Sequence, residues 1–255
     1  MAIAAVSISP VGEGVSVSRY VAEALRVVRQ QDRVRYRLDP MFTTLEGELS
    51  DIYVLIQAMQ EAVPLGHGAM AAVLGLDDET INSVCADVAD GDDSQVLAVN
   101  FNSPGQVVIA GHTAPVEAAS SALKAAGAKR VMPLPVSAPF HTPLMGHAAM
   151  VLSNALGSTP LAHPTVPVVS NVTGQPLNDA LVISEALVEQ VVSPVQWTRC
   201  VSTMRASGCQ HFVECGPGKV LAGLLRRIDR DASAHCIEEP DNLQAAREAL
   251  ELDCP

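Results

Sequence analysis

The chain has 255 residues, of which 48% are hydrophobic and only 3% aromatic, and its mean hydropathy is +0.24. That is enough apolar material for one large aliphatic core or two modest ones, and it excludes a disordered chain. The formal charge of −12 and pI near 4.9 argue against a nucleic-acid partner, because phosphate binding needs a basic surface, and no apolar run is long enough to span a bilayer.

Residues 2–9 alternate apolar and small side chains and predict a strand ended by Pro10. Ser16 or Ser18 can cap a helix carrying Val21, Leu25 and Val28, since a hydroxyl accepts the orphan N–H groups of a first turn. Residues 34–38 alternate like a half-exposed strand, and residues 42–45 continue it past Pro40. Ser50 or Asp51 opens a second helix with Ile52, Leu55, Ile56 and Met59 on one face. This β-α-β-β-α order runs to about residue 63. Together with Ala4, residues 6–12, Tyr20-Val21 and residues 41–47, it resembles a small family of ferredoxin-like proteins associated with thiamine or pyrimidine binding. The resemblance implies a module that binds a small molecule or oligomerises.

From residue 64 onward the pattern changes. Residues 69–76 predict a strand and 77–89 a helix. Strands at 96–101 and 106–111 flank a Ser103-Pro104-Gly105 turn. A helix at 114–126 ends at Gly127, which accepts the positive φ of a C-cap. A strand at 130–135 completes a β-α-β-β-α-β unit, the ferredoxin-like split arrangement. Then come a helix at 143–156, a strand at 166–170, helices at 181–192 and 197–207, a strand at 210–215, a helix at 218–228, a strand at 234–237 and a helix from 241. Strands alternating with helices predict a parallel sheet with covered faces.

One residue stands out chemically. The stretch Pro135-Val136-Ser137-Ala138-Pro139-Phe140-His141-Thr142-Pro143-Leu144-Met145 places an imidazole on a proline-braced turn just after a strand. An imidazole there can serve as a general base, which a serine needs because an unassisted hydroxyl is a poor nucleophile near neutral pH. Further on, Glu214-Cys215-Gly216-Pro217-Gly218-Lys219-Val220-Leu221 forms a strand-to-helix turn. Steric rules alone favour Gly and Pro in such a turn. Asn100 and Asn102 flank Phe101, where asparagine side chains commonly satisfy local backbone groups.

These segments, with Met59-Gln60-Glu61-Ala62-Val63-Pro64, Asn100-Phe101-Asn102-Ser103-Pro104-Gly105-Gln106 and Pro194-Val195-Gln196-Trp197, resemble the malonyl-CoA:acyl-carrier-protein transacylases. The resemblance implies an acyltransferase of fatty-acid biosynthesis. It makes His141 the base, and Asn100 and Asn102, with Asn171 more weakly, the wall of the acyl pocket. It makes Gly216 and Gly218 part of a turn whose backbone orients the histidine. Malonyl-CoA and acyl carrier protein are the implied substrate and partner.

Other parts of that family's pattern have no counterpart in the sequence. A Gly-His-Ser-x-Gly nucleophile elbow does not occur, nor does a Gly-Gln-Gly-Ser-Gln oxyanion loop. The position of the arginine that pairs the malonyl carboxylate falls on Leu55, which cannot form a bidentate pair. Gly111-His112-Thr113 mimics the elbow superficially, but Thr113 reads better as a helix cap. The expectation is therefore a transacylase-derived chain that is inactive alone.

The six cysteines, Cys85, Cys200, Cys209, Cys215, Cys236 and Cys254, form no C-x-x-C pair and no zinc-like spacing with histidine. Neither a metal nor a cofactor is expected, and a cytoplasmic setting with free thiols is. The basic residues Lys124, Lys129, Arg130, Arg199, Arg205 and Lys219 read as solvated surface charges. The fold class expected is α/β with α+β subdomains. Residues 1–63 form a ferredoxin-like N-terminal segment, 64–136 a ferredoxin-like transacylase subdomain, and 137–255 the C-terminal part of a hydrolase-like parallel α/β lobe. The two resemblances meet inside one helix at 51–63, as in a fusion. A lobe lacking central strands leaves apolar faces bare, so self-association is expected.

Overall fold

A computed structural model of the chain describes residues 2–6, 26, 30, 35–38, 43–47, 68–89, 94–136, 138–157, 161–216, 218–238 and 240–250. The helices expected after Ser16 and at 51–63, and position Leu55, lie outside the described residues.

Near the N-terminus, strands β1 (Ala2–Val6), β2 (Arg35–Leu38) and β3 (Thr43–Gly47) form an antiparallel sheet in the order β1-β3-β2. Ala2 pairs with Gly47, and Leu38 with Thr43. That order is the one three strands of a ferredoxin-like unit adopt.

A complete unit of that kind follows. It comprises β4 (Gly68–Leu74), α1 (Asp78–Val88), β5 (Val96–Ser103), β6 (Gln106–His112), α2 (Thr113–Ala125) and β7 (Arg130–Pro133). The sheet order is β5-β6-β4-β7, and every neighbouring pair is antiparallel. Helix α1 starts where the Asp77 carboxylate accepts from the Thr80 N–H at 2.8 Å.

The central strands read as nearly unbroken apolar runs because both faces of the sheet are covered. On one face Val73, Val96, Val107 and Ile109 pack with Ile81 and Cys85 of α1 and Val116, Ala119 and Leu123 of α2. On the other, Met70, Ala72, Val99, Val108 and Ala110 pack against Leu134 and Phe140, which lie on the segment leading to His141. The site is thus built directly on the subdomain's second face.

The elbow-like Gly111-His112-Thr113 has a structural explanation here. A Cβ on Gly111 would lie 2.0 Å from the Gln95 carbonyl oxygen, so only glycine fits this close approach. Gln95 in turn accepts from the His112 N–H at 2.9 Å and donates its own N–H to His112 Nδ1 at 3.2 Å. The cap position of α2 falls to His112, whose backbone is extended, and Thr113 is the first helical residue. The expected cap at Thr113 is therefore displaced: the helix starts one residue earlier because strand and helix run together here.

Further helices and short strands follow. A short 3₁₀ turn (Pro143–Met145) leads into α3 (Gly146–Gly157). A two-residue hairpin of β8 (Val168–Val169) and β9 (Pro176–Leu177) precedes α4 (Ala180–Val192) and α5 (Trp197–Ala206). Strands β10 (His211–Cys215) and β11 (Ser233–Ile237) are parallel neighbours joined through α6 (Val220–Ile228), and α7 (Pro240–Ala249) follows. The class is mixed α/β, as expected. The expected strand at 166–170 is shorter than anticipated, and β9 had no sequence signal beyond a turn. No helix among the described residues is long and apolar enough to cross a membrane.

Among the described residues the parallel pair β10–β11 has two strands, whereas parallel sheets are normally covered on both faces. Val213 on β10 is 42% exposed, Val220 on α6 is 70% exposed and Leu181 on α4 is 75% exposed. Such surface drives association. The chain is expected to self-associate at micromolar concentration in sedimentation velocity, and a sharply melting monomer throughout would contradict this.

Candidate functional site

His141 is set by its backbone before its side chain is considered. Ala138 and Pro139 are buried, and Phe140 inserts between the sheet's second face and a cluster of Ala138, Met145, Val191 and Val192. His141 itself has φ of +63°, the left-handed region that non-glycine residues rarely occupy. Such a conformation costs on the order of 1–3 kcal/mol and persists only where the surroundings over-determine it. Here they do. Thr142 is fully buried, its hydroxyl donates to the Pro139 carbonyl at 2.7 Å, and its carbonyl accepts from the Met145 N–H at 3.0 Å.

The ring is held by helix α4. His141 Nδ1 lies 2.8 Å from the backbone carbonyl oxygen of Gln190. A carbonyl only accepts, so Nδ1 carries the hydrogen, and in the neutral ring Nε2 is the nitrogen with the lone pair. That carbonyl is available for a reason legible in the sequence. It lies in the last turn of α4, where carbonyls lack an intrahelical partner. Its customary partner would be the N–H four residues on, but residue 194 is proline and has none.

Asn100 and Asn102 lie on the outer half of β5, both half-buried. The register against β6 slips between Ala98 and Asn100 and again between Phe101 and Ser103. Such bulges re-aim a strand's edge. Val195 takes up that edge in a parallel bridge at Asn100. Its N–H donates to Val99 O at 2.7 Å, its carbonyl accepts from the Phe101 N–H at 2.9 Å, and the Thr198 hydroxyl donates to Phe101 O at 3.1 Å. The Pro194-Val195-Gln196-Trp197 motif therefore stitches the end of α4 to the asparagine-bearing strand.

Gly216 and Gly218 close β10 with φ of +120° and +90°. Their role is conformational, since a Cβ added at either position would meet nothing within 4 Å. The family resemblance implies that this turn orients the histidine. The ring Nδ1–H donates to the Gln190 carbonyl, and the Gly216 N–H donates to Ile237 O at 3.0 Å. Sequence reasoning misses Gln190 because its contribution is a backbone atom. Pro194 is the available signal.

The start of α6 is occupied by Glu214, whose carboxylate accepts from the Leu221 N–H at 3.0 Å and the Ala222 N–H at 2.8 Å. Partial burial alone would raise its pKa, but those N–H bonds and the Cys236 thiol outweigh it and hold the carboxyl below its usual range. A cleft of about 390 Å³ lies between α6, β11 and α7, with Lys219 and Arg226 at its wall. It does not include His141. Arg205 is engaged by Asp229 at 2.6 Å. Among the described residues, no group of three or more His, Cys, Asp or Glu side chains could hold a metal ion.

Comparison with known proteins fits this geometry. Residues 43–237 match the acyl transferase domain family, well over half of the chain. The chain belongs to that family. Residues 4–80 also match the thiamine-binding protein family, so both matches include 43–80. A malonyl CoA-acyl carrier protein transacylase of Escherichia coli O157:H7 is 52% identical over 190 residues, which is 74% of this chain and 61% of the relative. Among solved structures, a malonyl-transacylase in complex with a type II PKS acyl-carrier protein is 44% identical with a TM-score of 0.70, covering 76% of this chain and 66% of that one. An acyl carrier protein S-malonyltransferase from Vibrio cholerae is likewise 44% identical, with a TM-score of 0.69 and coverage of 75% and 65%. The chain thus spans about three fifths of the length of the curated relatives it matches.

The Glu214 cap gives a pH-dependent prediction. A carboxylate with a lowered folded-state pKa adds stability above its unfolded pKa, and that stability is lost as pH falls through the folded value. Glu214→Gln is expected to lower stability at pH 7 by about 1 kcal/mol, the size of a helix cap, in urea unfolding. The difference from wild type should vanish in acid, and a difference that persists there would show that Glu214 acts other than by its charge.

Proposed function

We propose that this chain is a malonyl-transferase-derived acyl-transfer domain that supplies the general base and does not complete the transfer unaided. The observation that carries this reading is the His141–Gln190 bond, which leaves Nε2 free to take a proton. In the proposed reaction a hydroxyl oxygen attacks the malonyl thioester carbonyl while its proton passes to Nε2. The C–S bond then breaks and the proton returns to the coenzyme A sulfur; the phosphopantetheine thiol of acyl carrier protein next gives its proton to Nε2 and attacks the ester carbonyl, and the C–O bond breaks as that proton passes to the released hydroxyl oxygen. Asn100 and Asn102 are proposed to line the acyl pocket, with Gly216 and Gly218 shaping its far turn.

The nucleophile is what the sequence as it stands does not supply, since no Gly-His-Ser-x-Gly segment occurs in it. Loss of the nucleophile in a serine hydrolase costs on the order of a million-fold in turnover, and loss of an oxyanion donor alone roughly a hundred- to a thousand-fold. Either loss suffices to abolish useful transfer. Incubation with radiolabelled malonyl-CoA, followed by denaturation, is expected to leave no label on the chain. Retained covalent label would refute the reading.

We assign residues 1–63 to the N-terminal segment, 64–136 to the ferredoxin-like subdomain and 137–255 to the lobe. The pairing of β4 with β6 and β7 supports giving that strand to the subdomain, although the thiamine-binding match also reaches it. That match, with the strand order β1-β3-β2, favours a second reading in which the N-terminal segment binds a thiamine-like pyrimidine independently of His141. Calorimetric titration of the whole chain with thiamine separates the two. Saturable heat that survives His141→Ala supports the second reading, and no heat removes it.

A further inference from the structure

We infer that Asn171 is a positioning residue for His141, acting through Gln190. Its amide Nδ2 donates to Gln190 Oε1 at 3.1 Å, and its backbone carbonyl accepts from the Gln196 N–H at 2.7 Å. The Cys200 thiol lies 3.7 Å from Asn171 Oδ1, on the side of the amide away from the nitrogen that meets Gln190. Asn171 therefore grips both ends of the 190–196 segment. That segment contains the carbonyl that holds the ring and the Val195 backbone that pairs with β5.

Asn171 is itself firmly placed. It sits in the turn between β8 and β9, where the Gly174 N–H donates to Ser170 O at 2.7 Å, the Val172 N–H to the Ser170 hydroxyl at 3.2 Å, and the Ser170 N–H to Gln175 O at 2.9 Å. Ser170 is buried, and its carbonyl accepts from the Cys200 thiol at 3.3 Å. The Thr203 hydroxyl ties the same turn to α5 by donating to Gly174 O at 2.7 Å. A rigid hairpin tip thus clamps the one turn of α4 that has lost its helical bonding at Pro194. The Gln190 carbonyl selects the Nδ1–H tautomer only while it stays in place. When it moves, an imidazole reverts toward the Nε2–H form that it favours in water, and Nε2 ceases to be a base. The importance of this for acyl transfer rests on the proposed reading of His141, but the geometry and its test do not.

The test is the His141 tautomer in the whole chain, read at neutral pH from long-range ¹H–¹⁵N imidazole spectra and assigned by His141→Gln. Wild type is expected to show Nδ1–H alone. Asn171→Ala and Gln190→Ala, which keeps the backbone carbonyl, should each produce a mixture with Nε2–H. The double variant should be no worse than either, because both remove one interaction. Asn171→Asp should restore the single tautomer, since the Gln190 amide can turn and donate to the carboxylate. If Asn171→Ala does not fold, Gln190→Ala and Asn171→Asp still decide the matter. A pure Nδ1–H ring in the alanine variants, or an Asp variant as mixed as the Ala one, overturns the inference and leaves the acyl-transfer reading standing. Covalent label from malonyl-CoA would sink that reading without touching this one.

Discussion

The carbonyl oxygen of Gln190 is the group on which the site depends. A continuing helix would spend it on the N–H of residue 194. Proline has no N–H, so α4 ends and the oxygen is left to accept from elsewhere. His141 fills that vacancy, and the same bond determines which ring nitrogen remains basic. One covalent property of one residue thus reaches the chemistry of another that lies 53 positions away in the numbering (141 to 194).

The rest of the architecture serves to bring those two groups together. The ferredoxin-like sheet is apolar on both faces, and its second face receives Phe140. Phe140 also packs against Ala138 and Met145, as do Val191 and Val192 at the end of α4, so the residue before the histidine and the residues after the acceptor share one cluster. The bulged edge of β5 then captures Val195, which keeps the chain from drifting once the helix has ended. Each contact is modest by itself. Together they hold a histidine at a positive φ, a conformation that nothing local would favour.

The elements and the histidine are legible in the sequence because those signals are local. Apolar runs in β4 and β6, the Gly127 terminus of α2 and the prolines around His141 all act within a few residues. The split β-α-β-β-α-β unit follows from element order alone. What escapes is long-range and carried by backbone atoms: the Gln190 carbonyl, which only Pro194 signals, the Val195 bridge and the pairing of β8 with β9. Thr113 reads one residue out of place, since β6 passes into α2 without an intervening loop.

The His141 ring is held by the Gln190 carbonyl, while no Gly-His-Ser-x-Gly segment occurs in the sequence. The most direct measurement is a crystal structure of the chain in which the His141 ring and the Gln190 carbonyl are both well defined. The account predicts Nδ1 at hydrogen-bond distance from that oxygen, a positive φ at residue 141, and no hydroxyl or thiol of the same chain in contact with Nε2. A ring turned to a different acceptor, or a serine, threonine or cysteine of this chain bonded to Nε2, would contradict it.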